Sequence, residues 1–328
     1  METEDLYIKK PSGFTYEVDD TEITPYIYQP TPQGVHVLCE HYSKKYQIDL
    51  RCLSLEGMTD DPENCLNLLK YFHTLSYISD LPHNSLTGII LSNSQYHVLP
   101  LLVSKSEEDI KIVVFDSTSE ERIRKYFSIA NLFSDATFYL NAGTRQVDAS
   151  SCMTDAVCIL KEAMQLETLF SLIDNKRNVT DPNLKAKGTS FFHMPASPVN
   201  FRLFNMPEQL LLTAQSSAYV ESTNPDYSIK LRGDVSLQEY RTHFRMQVSL
   251  TQGSSTIVKG MNSYLFKKSQ EHRKYFDCFI KDFNKELDKQ WPKSDFEASI
   301  PQPIGIDTDE QIPEAPSFRE ITSPKHFA

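Results

Sequence analysis

The chain has 328 residues, room for one large domain or two small ones. A hydrophobic fraction of 40% supports an ordinary buried core, and scarce Gly beside abundant Tyr and Phe excludes a fibrous or low-complexity protein. A formal net charge of -11 excludes general nucleic-acid binding through a basic face, but not a local basic pocket.

Residues 1–45 mix charges, prolines and tyrosines without periodicity, and Pro25, Pro30 and Pro32 mark an irregular or edge segment. The start, Met1-Glu2-Thr3-Glu4-Asp5, is acidic where a secretory signal peptide needs basic residues, so none is expected. Residues 61–79 read as a helix capped by Asp60 or Asp61 with Pro62 in its first turn. Three strand-like runs follow, Leu86–Leu91, Tyr96–Val103 and Ile110–Phe115, and the longest apolar run, Val98–Val103, is far too short to cross a bilayer. A helix is expected over Ser119–Phe133, a strand over Thr137–Leu140 and a long helix over Cys152–Ile173. Further helices are expected over Pro207–Ala214 and Asn262–Leu287. Beyond Trp291, six prolines and lost apolar periodicity signal a disordered tail. The six cysteines, Cys39, Cys52, Cys65, Cys152, Cys158 and Cys278, are scattered without zinc-ligand spacing, so no metal is expected and a reducing compartment is.

Four residues offer a coherent set of chemical roles: His97, Asp116, Gln146 and Cys152. If the second and third strands pair around the loop 104–109, opposed residues have numbers summing to 213, and His97 faces Asp116. Directly opposed residues share a face with Cβ atoms about 4.5–5.5 Å apart, so the carboxylate can orient the imidazole. Cys152 stands where a polar loop becomes a helix, where free N–H groups are expected to lower its pKa. Gln146, six residues upstream, can donate to an oxyanion. Each residue alone has a plainer reading: an inert buried thiol, a surface histidine, a helix-capping aspartate. Cys158 competes as nucleophile but falls inside the helix, where access is poorer.

This order and spacing resembles the YopJ family of bacterial effector acetyltransferases, which shares a cysteine-protease clan with the ubiquitin-like-protein proteases and adenain. Tyr96-His97-Val98, Asp116 after Ile112-Val113-Val114-Phe115, and Gln146 to Cys152 carry the likeness. Ser190-Phe191-Phe192-His193 and the basic run Lys267 to Lys274 extend it more weakly, over about residues 45–290. The chain departs from the family at Asp116, where members usually carry Glu, and at Phe192, where a Lys is expected. Val98 stands where the protease branch usually has Trp, which favours the acetyltransferase branch.

The resemblance implies an α+β, ubiquitin-like-protease-type fold: a central mixed sheet flanked by helices, with a helical C-terminal regulatory part. The implied divisions are 1–45 variable, 46–215 catalytic, 216–290 regulatory and 291–328 disordered. It implies acetyl transfer from acetyl-CoA through a Cys152 thioester to Ser, Thr or Lys of host proteins, after secretion by a bacterial system into the host cell cytoplasm. His97 is the base, Asp116 its orienter and Gln146 an oxyanion donor. It also implies activation by inositol hexakisphosphate, with Lys267, Lys268, His272, Arg273 and Lys274 as the cations a dense polyanion needs. The same four groups would serve a cysteine protease removing ubiquitin or a related modifier, and a non-catalytic interaction protein could retain the fold.

Overall fold

A proline opens the first helix rather than interrupting it. Thr31 caps α1 (Pro32–Tyr46) by accepting the Gly34 N–H at 3.0 Å, and Pro32 lies in the first turn, where its missing N–H costs nothing. Val35, Leu38, Cys39 and Tyr42 recur at helical spacing and are buried. Gly34 lets the chain before the helix approach closely, since a Cβ there would lie 1.9 Å from the Leu6 carbonyl oxygen. Ahead of α1 lie β1 (Tyr7–Pro11), β2 (Tyr16–Val18), β3 (Thr21–Ile23) and β4 (Tyr26–Pro30), with β1 antiparallel to β4 and β2 to β3. The first 45 residues thus form four strands and most of a helix, where the sequence reading expected an irregular or edge segment. Their prolines punctuate elements: Pro11 closes β1, Pro30 closes β4 and Pro32 opens α1.

The structure, a computed structural model, describes residues 1–54, 77–92, 98–117, 126–127, 129–148, 150–175, 179–180, 200–223, 225–231, 234–252 and 255–290. Of the elements expected from sequence, most of the 61–79 helix, the first turns of the 119–133 helix and the tail from Trp291 lie outside these residues. Two compact units divide the chain, 1–281 and 282–328.

The first unit is built on a seven-stranded mixed sheet, in the order β10-β11-β9-β8-β7-β6-β5. The strands are β5 (Asp49–Ser54), β6 (Ser85–Ser92), β7 (Val98–Lys105), β8 (Ile110–Val114), β9 (Ala136–Asn141), β10 (Val179–Thr180) and β11 (Phe201–Phe204). α2 (Tyr77–Asp80) precedes β6. Period-two alternation divides the central strands between two cores. Ile90, Leu102, Val113, Phe115 and Tyr139 pack with α1 and with α3 (Cys152–Met164). Ile89, Leu91, Leu101, Val103, Ile112, Val114, Phe138 and Leu140 pack on the other side with Tyr126, Phe127, Ile129 and Ala130. The sheet is thus covered on both faces, the α+β architecture expected.

The β7–β8 register corrects the sequence reading. Val103 pairs with Ile112 and Lys105 with Ile110, so partners sum to 215 (103 + 112), not 213. β7 runs two residues further than expected, and the turn shortens to Ser106–Asp109. There Ser106 Oγ accepts the Asp109 N–H at 2.9 Å, and the Ser106 N–H donates to the Asp109 carbonyl at 2.9 Å. A two-residue slip keeps every side chain on its expected face. The long helix expected from Cys152 is also divided: α3 stops at Met164 and α4 (Leu169–Asp174) follows.

Downstream, a 3₁₀ segment (Glu208–Thr213) leads to α5 (Ser217–Ser222) and α6 (Leu237–Phe244). An antiparallel hairpin, β12 (Arg245–Gln252) with β13 (Ser255–Asn262), runs into α7 (Tyr264–Gln290). Phe14, Ile27, Val248, Leu250 and Met261 form a third apolar cluster joining the N-terminal strands to this hairpin, with Val147 packed against it. Thr15 and Ser249 exchange both backbone hydrogen bonds, at 2.8 and 2.9 Å. Among the described residues no helix is long and apolar enough to cross a membrane.

Because α1 is part of the main core, Leu38→Ala is expected to destabilise the protein by about 2–5 kcal/mol. A urea titration reads this as a lower midpoint with an unchanged slope; a midpoint within error of wild type would return the segment to a dispensable role.

Candidate active site

Asp116 follows β8 by two residues and is fully buried. The Tyr126 hydroxyl donates to its Oδ2 at 2.6 Å, which fixes the orientation of the carboxylate. Along the observed ladder Asp116 comes level with Leu99 (215 - 116), replacing the expected pairing with position 97. His97 itself lies outside the described residues, as does the segment 190–193.

The loop before Cys152 is organised by one carboxylate. Asp148 accepts the Ser150 and Ser151 N–H groups, both at 2.7 Å, and the Ser151 hydroxyl at 2.8 Å. A fourth donor is the side-chain amide of Gln215. The other end of that amide accepts the N–H groups of Val147 at 2.9 Å and Asp148 at 3.4 Å. Gln146 is held between two elements: its Oε1 accepts the Ser117 hydroxyl at 2.7 Å, and its Nε2 donates to the Asp148 carbonyl.

Beneath this loop lies a buried ion pair. Arg145, 1% exposed, donates bidentately to Asp155 on the first turn of α3, at 2.9 and 2.7 Å. The same guanidinium donates to the Phe115 carbonyl at 3.1 Å and to Thr213 Oγ1 at 3.3 Å. The Arg145 N–H donates to the Ser117 carbonyl at 2.9 Å. Arg145 thus ties the backbone on either side of Asp116 to the helix that begins with Cys152. Burial pushes the Asp155 carboxyl up, and the guanidinium opposes that rise.

Cys152 is the first residue of α3, as expected, but its electrostatics are the reverse of expectation. Burial pushes the thiol up to about 12; the Asp148 carboxylate adds to the rise, and the Met153 N–H only partly opposes it. A helix N-terminus favours a thiolate by a few tenths to ~2 kcal/mol, and removing the sulfur from water beside a carboxylate outweighs that. Burial likewise pushes Cys158 up to about 12.

The five basic positions of the C-terminal run do not share one surface. Lys267 is exposed, with Nζ 3.5 Å from His243 Nε2 and 4.4 Å from the Phe244 ring centroid. Lys268 pairs with Glu271. Arg273 turns to β4, donating to the Tyr28 hydroxyl at 2.8 Å and lying 3.5 Å from Asp277. Lys274 is exposed. His272 is 2% exposed, with Nε2 2.9 Å from the Tyr42 hydroxyl on α1, and burial together with Lys268, Lys161 and His41 lowers its pKa to about 3. It is a neutral interior residue, a correction to its expected role as a surface cation. Lys161, on α3, is paired with Glu162. Lys161 and Lys268 line a cleft of about 600 Å³ with His243, Tyr240, Phe244 and Tyr264.

Arg145, Asp148, Asp155 and Gln215 were not found by sequence reasoning. Asp148 carried a faint signal, since an aspartate in a small polar loop commonly accepts the backbone N–H groups two and three residues on. The others act across long separations and leave no spacing to read.

No family model matches the chain, and no curated protein does. Solved structures do. A crystal structure of HopZ1a in complex with IP6 and CoA superposes with a TM-score of 0.53 at 10% identity, covering 75% of this chain and 85% of that one. HopZ1a in complex with IP6 gives 0.51 at 7% identity, covering 74% and 84%. The chain shares the fold of HopZ1a. AvrA with IP6 and CoA is also similar, at a TM-score of 0.46 and 12% identity over 73% of this chain and 85% of that one.

Two measurements check the electrostatics. Iodoacetamide alkylation of Cys152 in the unliganded protein is expected to accelerate about ten-fold per pH unit from pH 7 to 10; a plateau near neutrality would reveal a preformed thiolate instead. His272, whose folded pKa lies near 3 against an ordinary 6.5, contributes stability that is full above pH 6.5 and lost as pH falls toward 3. By pH 4.5 that loss is about 2–3 kcal/mol, and urea midpoints of His272→Gln are expected to fall less steeply than wild type over this range.

Proposed function

We propose that the chain is an acyltransferase of the YopJ type: an acetyltransferase that carries an acetyl group from acetyl-CoA on Cys152 to Ser, Thr or Lys of host proteins. The observation that carries this reading is the joining of the Asp116 strand end to the Gln146–Cys152 loop through Arg145 and Ser117, on a fold shared with HopZ1a, a YopJ-family effector. On this reading the catalytic part has the ubiquitin-like-protease fold, and the protein is a secreted effector acting in the host cell cytoplasm.

The resting thiol is protonated, so His97, oriented by Asp116, takes its proton as the sulfur attacks the acetyl carbonyl. The oxyanion is held by the second Gln146 N–H and by backbone N–H groups at the start of α3. The carbonyl reforms, the C–S bond to CoA breaks, and the leaving CoA sulfur takes the proton that His97 holds, which returns His97 to its basic form. In the second half, His97 deprotonates the acceptor hydroxyl or amine, which attacks the thioester and releases Cys152. Acetyl-CoA is the substrate. IP6, bound in the HopZ1a structures, would occupy the cleft held by Lys161, Lys268 and the neighbouring Lys267, with Lys274 further along α7. There it competes with Glu162 and Glu271 for two of the ammonium groups. Arg273 would join only by leaving Tyr28.

A buried, protonated thiol also suits a non-catalytic protein on this fold, and one experiment separates the readings. Full-length protein is incubated with labelled acetyl-CoA and IP6. The expected result is a hydroxylamine-labile acetyl group on Cys152, followed by label on Ser, Thr or Lys, all abolished in Cys152→Ala; Gln146→Ala is expected to be slower by about 100- to 1,000-fold. Ubiquitin-chain cleavage without acetylation would replace this reading with the protease, and neither activity would leave the interaction protein.

A further inference from the structure

The hydrogen bonds around the nucleophile loop converge on a side chain outside it. Gln215, 1% exposed, holds three groups of that loop at once: the Val147 N–H, the Asp148 N–H and the Asp148 carboxylate. Its backbone is equally committed. The Gln215 N–H donates to the Arg145 carbonyl at 3.0 Å, and its carbonyl accepts the Asn262 N–H at 2.8 Å. Asn262 ends β13 and opens the way to α7, where its Oδ1 accepts the Tyr264 N–H at 3.0 Å. A continuous path of hydrogen bonds therefore runs from the first residue of α7, through Asn262 and Gln215, to Asp148 and the two serines before Cys152.

We propose that Gln215 is a positioning residue for Cys152: it fixes the loop that presents the sulfur and couples that loop to the junction between β13 and α7. The proposal deepens the acyltransferase reading and rests on it for its catalytic consequence, but its geometric content is independent of acetyl transfer. Gln215 touches no reacting atom. It acts through Asp148, whose carboxylate in turn orders Ser150 and Ser151. An apolar side chain of equal length would fill the same space and hold none of the three loop groups. A role in packing alone and a role in positioning therefore make different predictions for Gln215→Met.

The test uses the full chain and reads Cys152 directly. Wild type, Gln215→Met and Gln215→Asn are alkylated with iodoacetamide from pH 7 to 10, and the modification of Cys152 is followed by peptide mass spectrometry. The exposed Cys278 serves as internal control. Release of the loop lets water reach the sulfur, so Cys152 in Gln215→Met is expected to react at least about ten-fold faster at each pH, its profile moving toward that of an ordinary thiol, while Cys278 is unchanged. Gln215→Asn keeps the amide on a shorter arm and is expected to lie between the two. Acetyl transfer, measured in parallel, is expected to lose about 100-fold in kcat with KM for acetyl-CoA little changed. Coincident Cys152 profiles in folded Gln215→Met and wild type would overturn the proposal. Should Gln215→Met fail to fold, the same coincidence in Gln215→Asn would do so. Absence of acetyl transfer from wild type would remove the acyltransferase reading and leave the alkylation comparison standing.

Discussion

One guanidinium in the interior constrains everything around the nucleophile. Arg145 has almost no solvent contact, so its charge must be matched inside the protein. Asp155 matches it bidentately, and two further donor contacts go to the Phe115 carbonyl and Thr213. Removing one partner from such a pair costs about 3–5 kcal/mol, because the other charge stays buried and alone. The arrangement therefore tolerates little drift. It holds the end of β8 and its Asp116, the loop that follows β9, the first turn of α3 and the 3₁₀ segment at Thr213 in one register.

The fold and the chemistry were legible in the sequence to different degrees. The central strands declared themselves, because short apolar runs such as Ile89–Leu91, Val98–Val103 and Ile112–Phe115, bounded by polar turn residues, read as buried strands. Their register did not: Ser104 and Lys105 are polar and read as loop, yet they extend β7 because Ser106 supplies the turn chemistry two residues later. α1 was hidden by its own start signal, a proline read as a breaker. The candidate nucleophile and glutamine could be proposed because they stand six residues apart in one loop, and the candidate acid because it closes an apolar run. Arg145, Asp155 and Gln215 were not, since what gives each its role is a partner 10 to 68 residues away, and nothing in a single sequence encodes that pairing.

Electrostatics at Cys152 are a contest that burial wins. The start of a helix favours a thiolate, and so does Lys10. Against them stand the loss of hydration and the carboxylates of Asp148 and Asp155. The carboxylate that orders the loop thus also adds to the burial that keeps the sulfur in its unreactive form. Order and reactivity at this site pull in opposite directions, and a base is required to reconcile them.

The apolar cluster outside the loop has a consequence for biosynthesis. Val147 packs against residues from the first thirty positions and from beyond position 240, and the backbone exchange between Thr15 and Ser249 spans most of the chain. Contacts of such separation close late, and during translation the second half of this wall leaves the ribosome long after Cys152 has emerged. The loop at Val147 therefore passes through a period in which half of the cluster it packs against has not yet been made.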